Sequence, residues 1–297
     1  MCLLLFAYHC HPDYPLLMLA NRDEFYGRPT ASAAPWDDGS MVAGRDLQGG
    51  GTWAGIAPGR VAAVTNIREA DVPSPPQALS RGDIPRRFLQ RSPQTSPQSG
   101  PSPLDYAERL ERDRYRGFNA LLFQLGARDE LVCAGNRHQP FRFAPGIHGI
   151  SNGAPDAPWP KVERGRAALA ALINGRGPDF SYDHFVEQSM ALLRDDKPAP
   201  RDTLPFTGVG PALEKALSPI FVRIESAEFA RGTSGSASHS ASSETPYSTS
   251  GDNPGAYGTR ASTVIAVHRD GTTRLWEQTY QDGRPAGPIR HFSLPGQ

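Results

Sequence analysis

The chain begins with the stretch Met1-Cys2-Leu3-Leu4-Leu5-Phe6, in which a cysteine precedes an unbroken apolar run. Continuous hydrophobicity over so few residues is typical of a strand that is buried on both faces. Removal of Met1 would leave a thiol and a free α-amine on one residue, with ordinary pKa values of about 8.5 and about 7.7–8. The stretch therefore predicts a nucleophile that carries its own base. The simpler interpretation is a small apolar residue that opens a strand.

The first apolar run covers residues 3–8, and a second at residues 15–20 follows a turn-like segment and predicts a hairpin with the first. Four polar residues come next, Asn21, Arg22, Asp23 and Glu24, and we expect them to end the second strand. Because side chains alternate along a strand, either Arg22 or Asp23 should face Cys2, and both can do so only if a bulge intervenes. The alternative is a solvated strand end with weak salt bridges.

The rest of the chain alternates apolar runs with turn signals and helical patterns. A loop is expected at residues 27–51, and a tight hairpin joins the runs 52–57 and 61–66. Helices are predicted at residues 80–89, 104–114, 160–173 and 182–193, and a strand or helix end at 217–224. Further strands are predicted at residues 118–125, 130–134, 148–151, 262–268, 273–277 and 288–292. This order predicts an α+β fold whose antiparallel sheets carry helices on their outer faces.

We expect one domain over residues 1–297, with flexible inserts at 91–103 and 232–255. Both inserts are rich in small and polar residues and lack apolar anchors. The chain has 31 basic and 31 acidic residues, so no electrostatic footprint for nucleic acid is expected. Three cysteines give no even disulfide framework. With no signal-peptide pattern and no membrane span, the sequence predicts a cytoplasmic protein.

Other candidates for chemistry are weaker. The cluster His9-Cys10-His11 has no zinc-ligand spacing and is interpreted as a turn, so no metal or cofactor is predicted. Cys133 lies in an apolar strand and is expected to be buried. Residues 49–51 are three glycines without the lysine of a phosphate-binding loop, which favours a bend beside a crowded site.

Several motifs together resemble the NRDE-motif family, also called the transport and Golgi organization protein 2 family. The resemblance is carried by Met1-Cys2 and by residues 20–29, ANRDEFYGRP. Further similar segments are GGTWAG (50–55), VTNIR (64–68), SRG (80–82), GFN (117–119), SNG (151–153), PWPK (158–161), TGV (207–209) and YGTR (257–260). They extend over the whole chain outside residues 91–103 and 232–255.

The resemblance implies a four-layer αββα sandwich of antiparallel sheets, similar to N-terminal-nucleophile hydrolases and most similar to the penicillin V acylase and bile-salt hydrolase branch. By position, the implied site residues are the nucleophile Cys2, followed by Arg22, Asp23, Asn66, Asn152 and Arg260. The acylase branch spaces its early arginine and aspartate as Arg-x-x-Asp. Here Arg22 and Asp23 are adjacent, and Ala20 fills the expected arginine position.

The resemblance implies amide or thioester hydrolysis through Cys2. Asp23 would hold the α-ammonium group, Asn66 or Asn152 would donate to an oxyanion, and Arg22 or Arg260 would favour the thiolate. The alternative is a non-catalytic carrier or chaperone for a small ligand, because family members have been linked to haem trafficking and to lipid or acyl-CoA homeostasis. The chain has no CxxCH haem-attachment motif. A third reading is a structural protein without an active site.

Overall fold

The computed structural model describes residues 2–70, 72–90, 101–174, 181–226 and 255–296. The predicted inserts lie outside these ranges except for residues 101–103 and Gly255, so they stay predictions. The strands, in chain order, are β1 (Cys2–Tyr8), β2 (Leu16–Phe25), β3 (Thr30–Pro35), β4 (Val42–Asp46), β5 (Ala54–Ala57), β6 (Arg60–Asn66), β7 (Phe118–Gln124), β8 (Glu130–Gly135), β9 (Phe141–Arg142), β10 (Gly146–Ile150), β11 (Arg223–Ile224), β12 (Tyr257–Val267), β13 (Thr273–Gln281), β14 (Arg284–Pro285) and β15 (Arg290–Leu294). The helices are α1 (Asp83–Leu89), α2 (Pro103–Glu108), α3 (Pro160–Asn174), α4 (Tyr182–Leu193) and α5 (Pro211–Ala216).

These strands form two antiparallel sheets in the described part of the chain. The first has the order β10-β1-β2-β12-β13-β14, with β11 beside β12 and β15 beside β13. The second has the order β3-β4-β5-β6-β7-β8-β9. The amino-terminal hairpin thus lies in the interior of the first sheet, because β10 pairs with β1 and β12 pairs with β2.

Three apolar clusters hold together four layers, in the order helices, first sheet, second sheet, helices. The first joins the facing sides of the two sheets, with Phe6 and Met18 meeting Ile56 and Phe123. A second packs the outer side of the first sheet against α3 and α4. A third packs the outer side of the second sheet against α1 and α2. The prediction of helices on the outer faces of antiparallel sheets is therefore confirmed, and the layering is compatible with a sandwich.

Two predictions about the strands next to the first hairpin are wrong. The polar residues at 21–24 do not end the second strand, since β2 continues to Phe25. They are accommodated by partners inside the protein: the Asn21 side chain donates to the Leu193 and Ile220 carbonyl oxygens at 2.8 and 2.9 Å. Residues 27–51 are not one loop, because β3 and β4 pair within them. Strand β3 is an edge strand of small residues, whose short side chains leave almost no apolar pattern to detect.

The predicted helix at 104–114 is also shorter than expected. Helix α2 ends at Glu108, and only a three-residue 3₁₀ helix, Arg112–Arg114, follows it. The Ser102 side chain caps α2 by accepting from the Asp105 backbone N–H at 3.1 Å. No described helix is long and apolar enough to cross a membrane.

Candidate active site

Cys2 lies directly opposite Arg22 in the β1–β2 hairpin. Directly paired residues on adjacent strands project to the same face of a sheet, so Arg22, and not Asp23, shares the face of Cys2. The Arg22 guanidinium donates to Asp46 Oδ2 at 3.1 Å and stacks over the Trp53 ring, 4.6 Å from its centroid. Arg22 is therefore fixed in place beside the thiol by the second sheet.

A bulge in the neighbouring strand shapes the position of Asp23. The register of β12 against β2 shifts between Thr259 and Ala261, which leaves Arg260 as the extra residue. Thr259 lies opposite Asp23 and its hydroxyl donates to Asp23 Oδ1 at 2.8 Å. Burial raises the pKa of the Asp23 carboxyl, whereas the positive charge of Lys161 opposes this shift. The register of β1 against β2 is regular, so the bulge that would let both Arg22 and Asp23 face Cys2 is not found in this hairpin; the observed bulge lies in β12.

One cavity of about 370 Å³ opens at this end of the sheets. Four of the six residues implied by the resemblance line it: Cys2, Arg22, Asp23 and Asn66. The other lining residues come from β2 and the turn after it, from β4 to β6 and their connections, and from the segments before α1 and before β7: Glu24, Arg28, Asp46, Gln48, Gly49, Thr52, Trp53, Val64, Ala78, Leu79, Ser80, Arg81, Gly82 and Arg116.

The three glycines at 49–51 form the predicted bend beside this cavity. Gly50 has a positive φ of 71°. A β-carbon on Gly51 would lie 2.3 Å from the Gly82 carbonyl carbon, so only glycine allows this contact. The Thr52 N–H donates to the Gly82 carbonyl oxygen at 3.1 Å. The bend thereby holds the segment before α1 against the second sheet as one wall of the cavity.

The two asparagines have different positions. Asn66 lines the cavity at the end of β6, whereas Asn152 is completely buried behind it. The Asn152 side chain donates to the Asn66 carbonyl oxygen at 2.8 Å, and the neighbouring Ser151 hydroxyl donates to the Cys2 carbonyl oxygen at 3.3 Å. Asn152 thus holds the backbone of Asn66, and its neighbour Ser151 holds the backbone of Cys2.

Arg260 is not among the lining residues of the described cavity. Its guanidinium donates to the Phe25 and Tyr26 carbonyl oxygens at 2.8 and 2.9 Å and lies over the Tyr26 ring. Burial and the nearby charge of Arg22 lower the pKa of Arg260. Arg260 therefore binds the backbone of the turn after β2. Arg22, and not Arg260, is the arginine beside the thiol.

The surroundings of the Cys2 thiol favour its protonated form. Burial and the negative charge of Asp23 raise its pKa, while Arg22 acts in the opposite direction. Attack by the sulfur therefore requires a base that removes its proton as the reaction proceeds.

Sequence reasoning missed Lys161, which lies at the start of α3 with only 2% of its surface exposed. Its ammonium group donates to the Leu217 carbonyl oxygen at 3.0 Å. Burial lowers the pKa of Lys161 to about 8, although the negative charge of Asp23 acts to raise it. Lys161 thus supplies a buried positive charge next to the carboxylate of the site.

A signal for Lys161 was present in the spacing of α3. Lys161, Gly165, Leu169 and Ile173 follow one another at intervals of four, and all four are buried. Residues at this spacing share one helix face. A lysine in an otherwise apolar row indicates a buried charge that has a partner, so the row could have identified Lys161.

A buried ion pair links two of the segments that resemble the family, residues 64–68 and 207–209. The Arg68 guanidinium contacts the Glu214 carboxylate, and the other carboxylate oxygen accepts from the Thr207 N–H at 2.8 Å and hydroxyl at 2.6 Å. The Arg68 N–H also donates to the Asn152 carbonyl oxygen at 2.7 Å. This network ties the segment after β6 to α5 and to the backbone of Asn152.

The weaker candidates lie elsewhere. Cys133 is buried in the core, as predicted, and burial raises its pKa. His9 contacts Asp129 at 3.4 Å, whereas the His11 ring accepts from the Asp13 N–H at 3.1 Å. These two histidines therefore have separate partners. No group of metal-ligating side chains is found within the described residues.

Comparison with known proteins agrees with the sequence motifs. The model of the family described as Transport and Golgi organisation 2 matches residues 1–282. The chain is 30% identical to the Transport and Golgi organization protein 2 homolog of Bos taurus over 304 residues, covering 96% of this chain and 95% of that protein. It is 28% identical to the human homolog over 301 residues, covering 95% and 94%. It is 30% identical to Transport and Golgi organization protein 2 of Drosophila melanogaster over 214 residues, covering 66% and 72%. The chain therefore belongs to the Transport and Golgi organisation 2 family.

Proposed function

We propose that this protein is an N-terminal-nucleophile hydrolase that cleaves a non-peptide amide or a thioester through Cys2 after removal of Met1. The observation that carries the proposal is the shared cavity of Cys2, Arg22, Asp23 and Asn66. The stacking of two antiparallel sheets between helices supports it, because the same layering is implied by the resemblance to these hydrolases.

The first half of the reaction acylates Cys2. The free α-amine of Cys2 takes the thiol proton while the sulfur electron pair forms a bond to the substrate carbonyl carbon. The carbonyl π electrons move onto oxygen, and the side-chain amide of Asn66 donates to that oxyanion. When the carbonyl re-forms, the bond to the amine or thiol leaving group breaks, and the leaving group receives the proton from the α-ammonium group.

The second half releases the acid. The α-amine accepts a proton from water, and the water oxygen attacks the carbonyl carbon of the acyl-cysteine thioester. Collapse breaks the carbon–sulfur bond, and the sulfur regains a proton while the carboxylic acid leaves. Asp23 holds the α-ammonium group in both halves, as a triad carboxylate orients its base. Lys161 and Thr259 support the charged form of Asp23, since both act to lower its pKa.

The test is turnover of a panel of hexanoyl amides and thioesters by the full chain, with intact mass used to establish that Met1 is removed. We expect Cys2→Ala to lower turnover by about 1,000-fold or more, because the nucleophile is lost. Cys10→Ala is the matched control and should retain turnover, because Cys10 lies in the turn after β1 and does not line the cavity. Unchanged turnover by Cys2→Ala, or retention of Met1 on an active protein, would contradict the proposal.

The alternative function is a non-catalytic carrier for a small haem-like or acyl-linked ligand. The raised pKa of the Cys2 thiol favours it, because a neutral buried thiol is a poor nucleophile. No histidine lines the cavity within the described residues, so an imidazole ligand for haem iron is absent from this wall. The carrier function predicts ligand binding that survives Cys2→Ala, together with no turnover by the wild type.

A further inference from the structure

Two of the three carboxylates that line the cavity, Glu24 and Asp46, pair with two of its four arginines. Asp46 Oδ2 accepts from Arg28 Nε at 2.8 Å and from Arg22 at 3.1 Å. Glu24 lies 3.9 Å from both guanidinium groups. The positive charges of Arg22 and Arg28 are thus neutralised inside the wall.

The other two arginines, Arg81 and Arg116, are not matched in this way. Within the described residues, neither forms an ion pair with a carboxylate; the Arg81 guanidinium donates to the Gly117 carbonyl oxygen at 3.2 Å. Both side chains are partly buried. Burial and the neighbouring charge of Arg116 lower the pKa of Arg81 to about 10. Two like charges at the edge of a cavity are unfavourable until an anion lies between them.

The positions of Arg81 and Arg116 relative to the two cavities indicate where a ligand could bind. Arg116 lines both the Cys2 cavity and an adjoining cleft of about 820 Å³. Arg81 precedes Gly82, whose contact with Gly51 fixes that wall. Arg116 thus lies where the two spaces meet, and both arginines line the cavity that also contains Cys2.

We propose that Arg81 and Arg116 form a subsite for an anionic group, a carboxylate or a phosphate, on the substrate of Cys2. This inference rests on the proposed function for the substrate, but the anion subsite can be measured without turnover. Guanidinium groups suit this ligand because they donate in a planar fork to the oxygens of carboxylate and phosphate. The subsite predicts selectivity for acyl amides or thioesters with a negative charge over neutral ones of equal size.

The binding test uses Cys2→Ala protein and three probes: N-hexanoylglycine, its neutral analogue N-hexanoylglycinamide, and N-hexanoyl phosphoethanolamine. We expect the two anionic probes to bind at least about tenfold tighter than the neutral one in calorimetry, with an affinity that falls as salt rises. Comparison of the carboxylate and the phosphate identifies which anion the subsite prefers. Equal affinity for charged and neutral probes, or no saturable binding of either anionic probe, would overturn the subsite.

The residue test compares Arg116→Gln and Arg81→Gln with Arg128→Gln, an exposed position in the β7–β8 turn. Each cavity variant should weaken anion binding about tenfold while leaving the weak binding of the neutral probe within about twofold. Arg128→Gln should change neither. Thermal unfolding establishes that the variants fold, and Arg116→Gln is the cleaner of the two because Arg81 also contacts Gly117. Equal loss for charged and neutral probes would contradict the subsite. Turnover of neutral amides with no preference for anions would overturn the subsite alone and leave the hydrolase proposal intact.

Discussion

Cys2 and Arg22 face each other as a direct cross-strand pair at the end of the first hairpin, where that hairpin borders the cavity. The register brings the two residues together, because the apolar residues of β1 and β2 that face the second sheet fix the alignment of the strands. A thiol and a guanidinium are thereby brought together by the same hydrophobic pattern that folds the hairpin.

Loss of Arg22 should make the Cys2 thiol harder to ionise, because Arg22 lowers its pKa. In Arg22→Met, alkylation of Cys2 by iodoacetamide should slow severalfold at pH 8 and shift to higher pH, as followed by site-resolved mass spectrometry. Arg45→Met is the matched control, since Arg45 lies 4.6 Å from the Trp36 ring centroid, as Arg22 does from that of Trp53, but outside the cavity. Identical alkylation profiles for Arg22→Met and the wild type would disprove this coupling.

The contact between Gly51 and Gly82 should not tolerate a side chain. Gly51→Ala should lower the free energy of unfolding by about 1–3 kcal/mol, because its β-carbon would overlap the Gly82 backbone. Gly27→Ala, which meets no atom within 4 Å, should stay within about 0.5 kcal/mol of the wild type. Denaturant unfolding measures both, and a Gly51→Ala protein as stable as Gly27→Ala would contradict the close approach.

Glu277 should make stability depend on pH. Its carboxylate accepts from the Ala33 N–H at 2.6 Å across the two sheets, and burial raises its pKa to about 7, against the nearby charges of Arg290 and Arg22. Because the folded pKa lies above the ordinary value of 4.5, this contribution is fully present below about pH 4.5 and is lost as pH rises through 7.

The shift corresponds to a change on the order of 3 kcal/mol in the free energy of unfolding. Glu277→Gln should therefore gain stability relative to the wild type between pH 5 and pH 8, as measured by denaturant unfolding at both values. Glu187→Gln, at an exposed position on α4, should show no such gain. A difference between Glu277→Gln and the wild type that does not change with pH would show that Glu277 is ionised throughout.

Lys161 should make the folded protein more stable as pH rises, which is opposite to the effect of Glu277. Its folded pKa of about 8 lies below the ordinary value of 10.5, so the unfolded chain binds more protons between these values. The stability of the wild type relative to Lys161→Met should therefore rise as pH increases from 8 toward 10. Lys215→Met removes an exposed lysine on α5 and should show no such trend. A constant difference between Lys161→Met and the wild type over this range would contradict a depressed pKa.

The sequence was sufficient for the elements whose apolar pattern is strong. The runs at 3–8 and 15–20 predicted β1 and the start of β2, and the spacing of Phe185, Val186, Met190 and Leu193 predicted α4 with its bounds. It failed where side chains are short or polar. Strand β3 presents mainly alanine, threonine and serine, and β2 ends in buried polar residues whose partners lie far away in the chain.

The site was predicted in part for a similar reason. One hairpin contains Cys2, Arg22 and Asp23, so the alternation of side chains predicted that only one of the last two faces Cys2. The observed register shows that this residue is Arg22. Arg260 could not be assigned from spacing, because its direction depends on the bulge in β12. The arginines Arg81 and Arg116 come from two different connections, and only the packing of the second sheet brings them to the cavity.

The central claim is that a free amino-terminal thiol at Cys2 forms a covalent acyl intermediate. Intact and peptide mass spectrometry of the full chain, quenched during turnover of a hexanoyl thioester, tests this most directly. We predict a protein without Met1 that carries one hexanoyl group on Cys2, and no adduct at that position in Cys2→Ala. A wild-type protein that retains Met1, or that hydrolyses the thioester while its acyl group appears on Cys10 or on no residue, would contradict it.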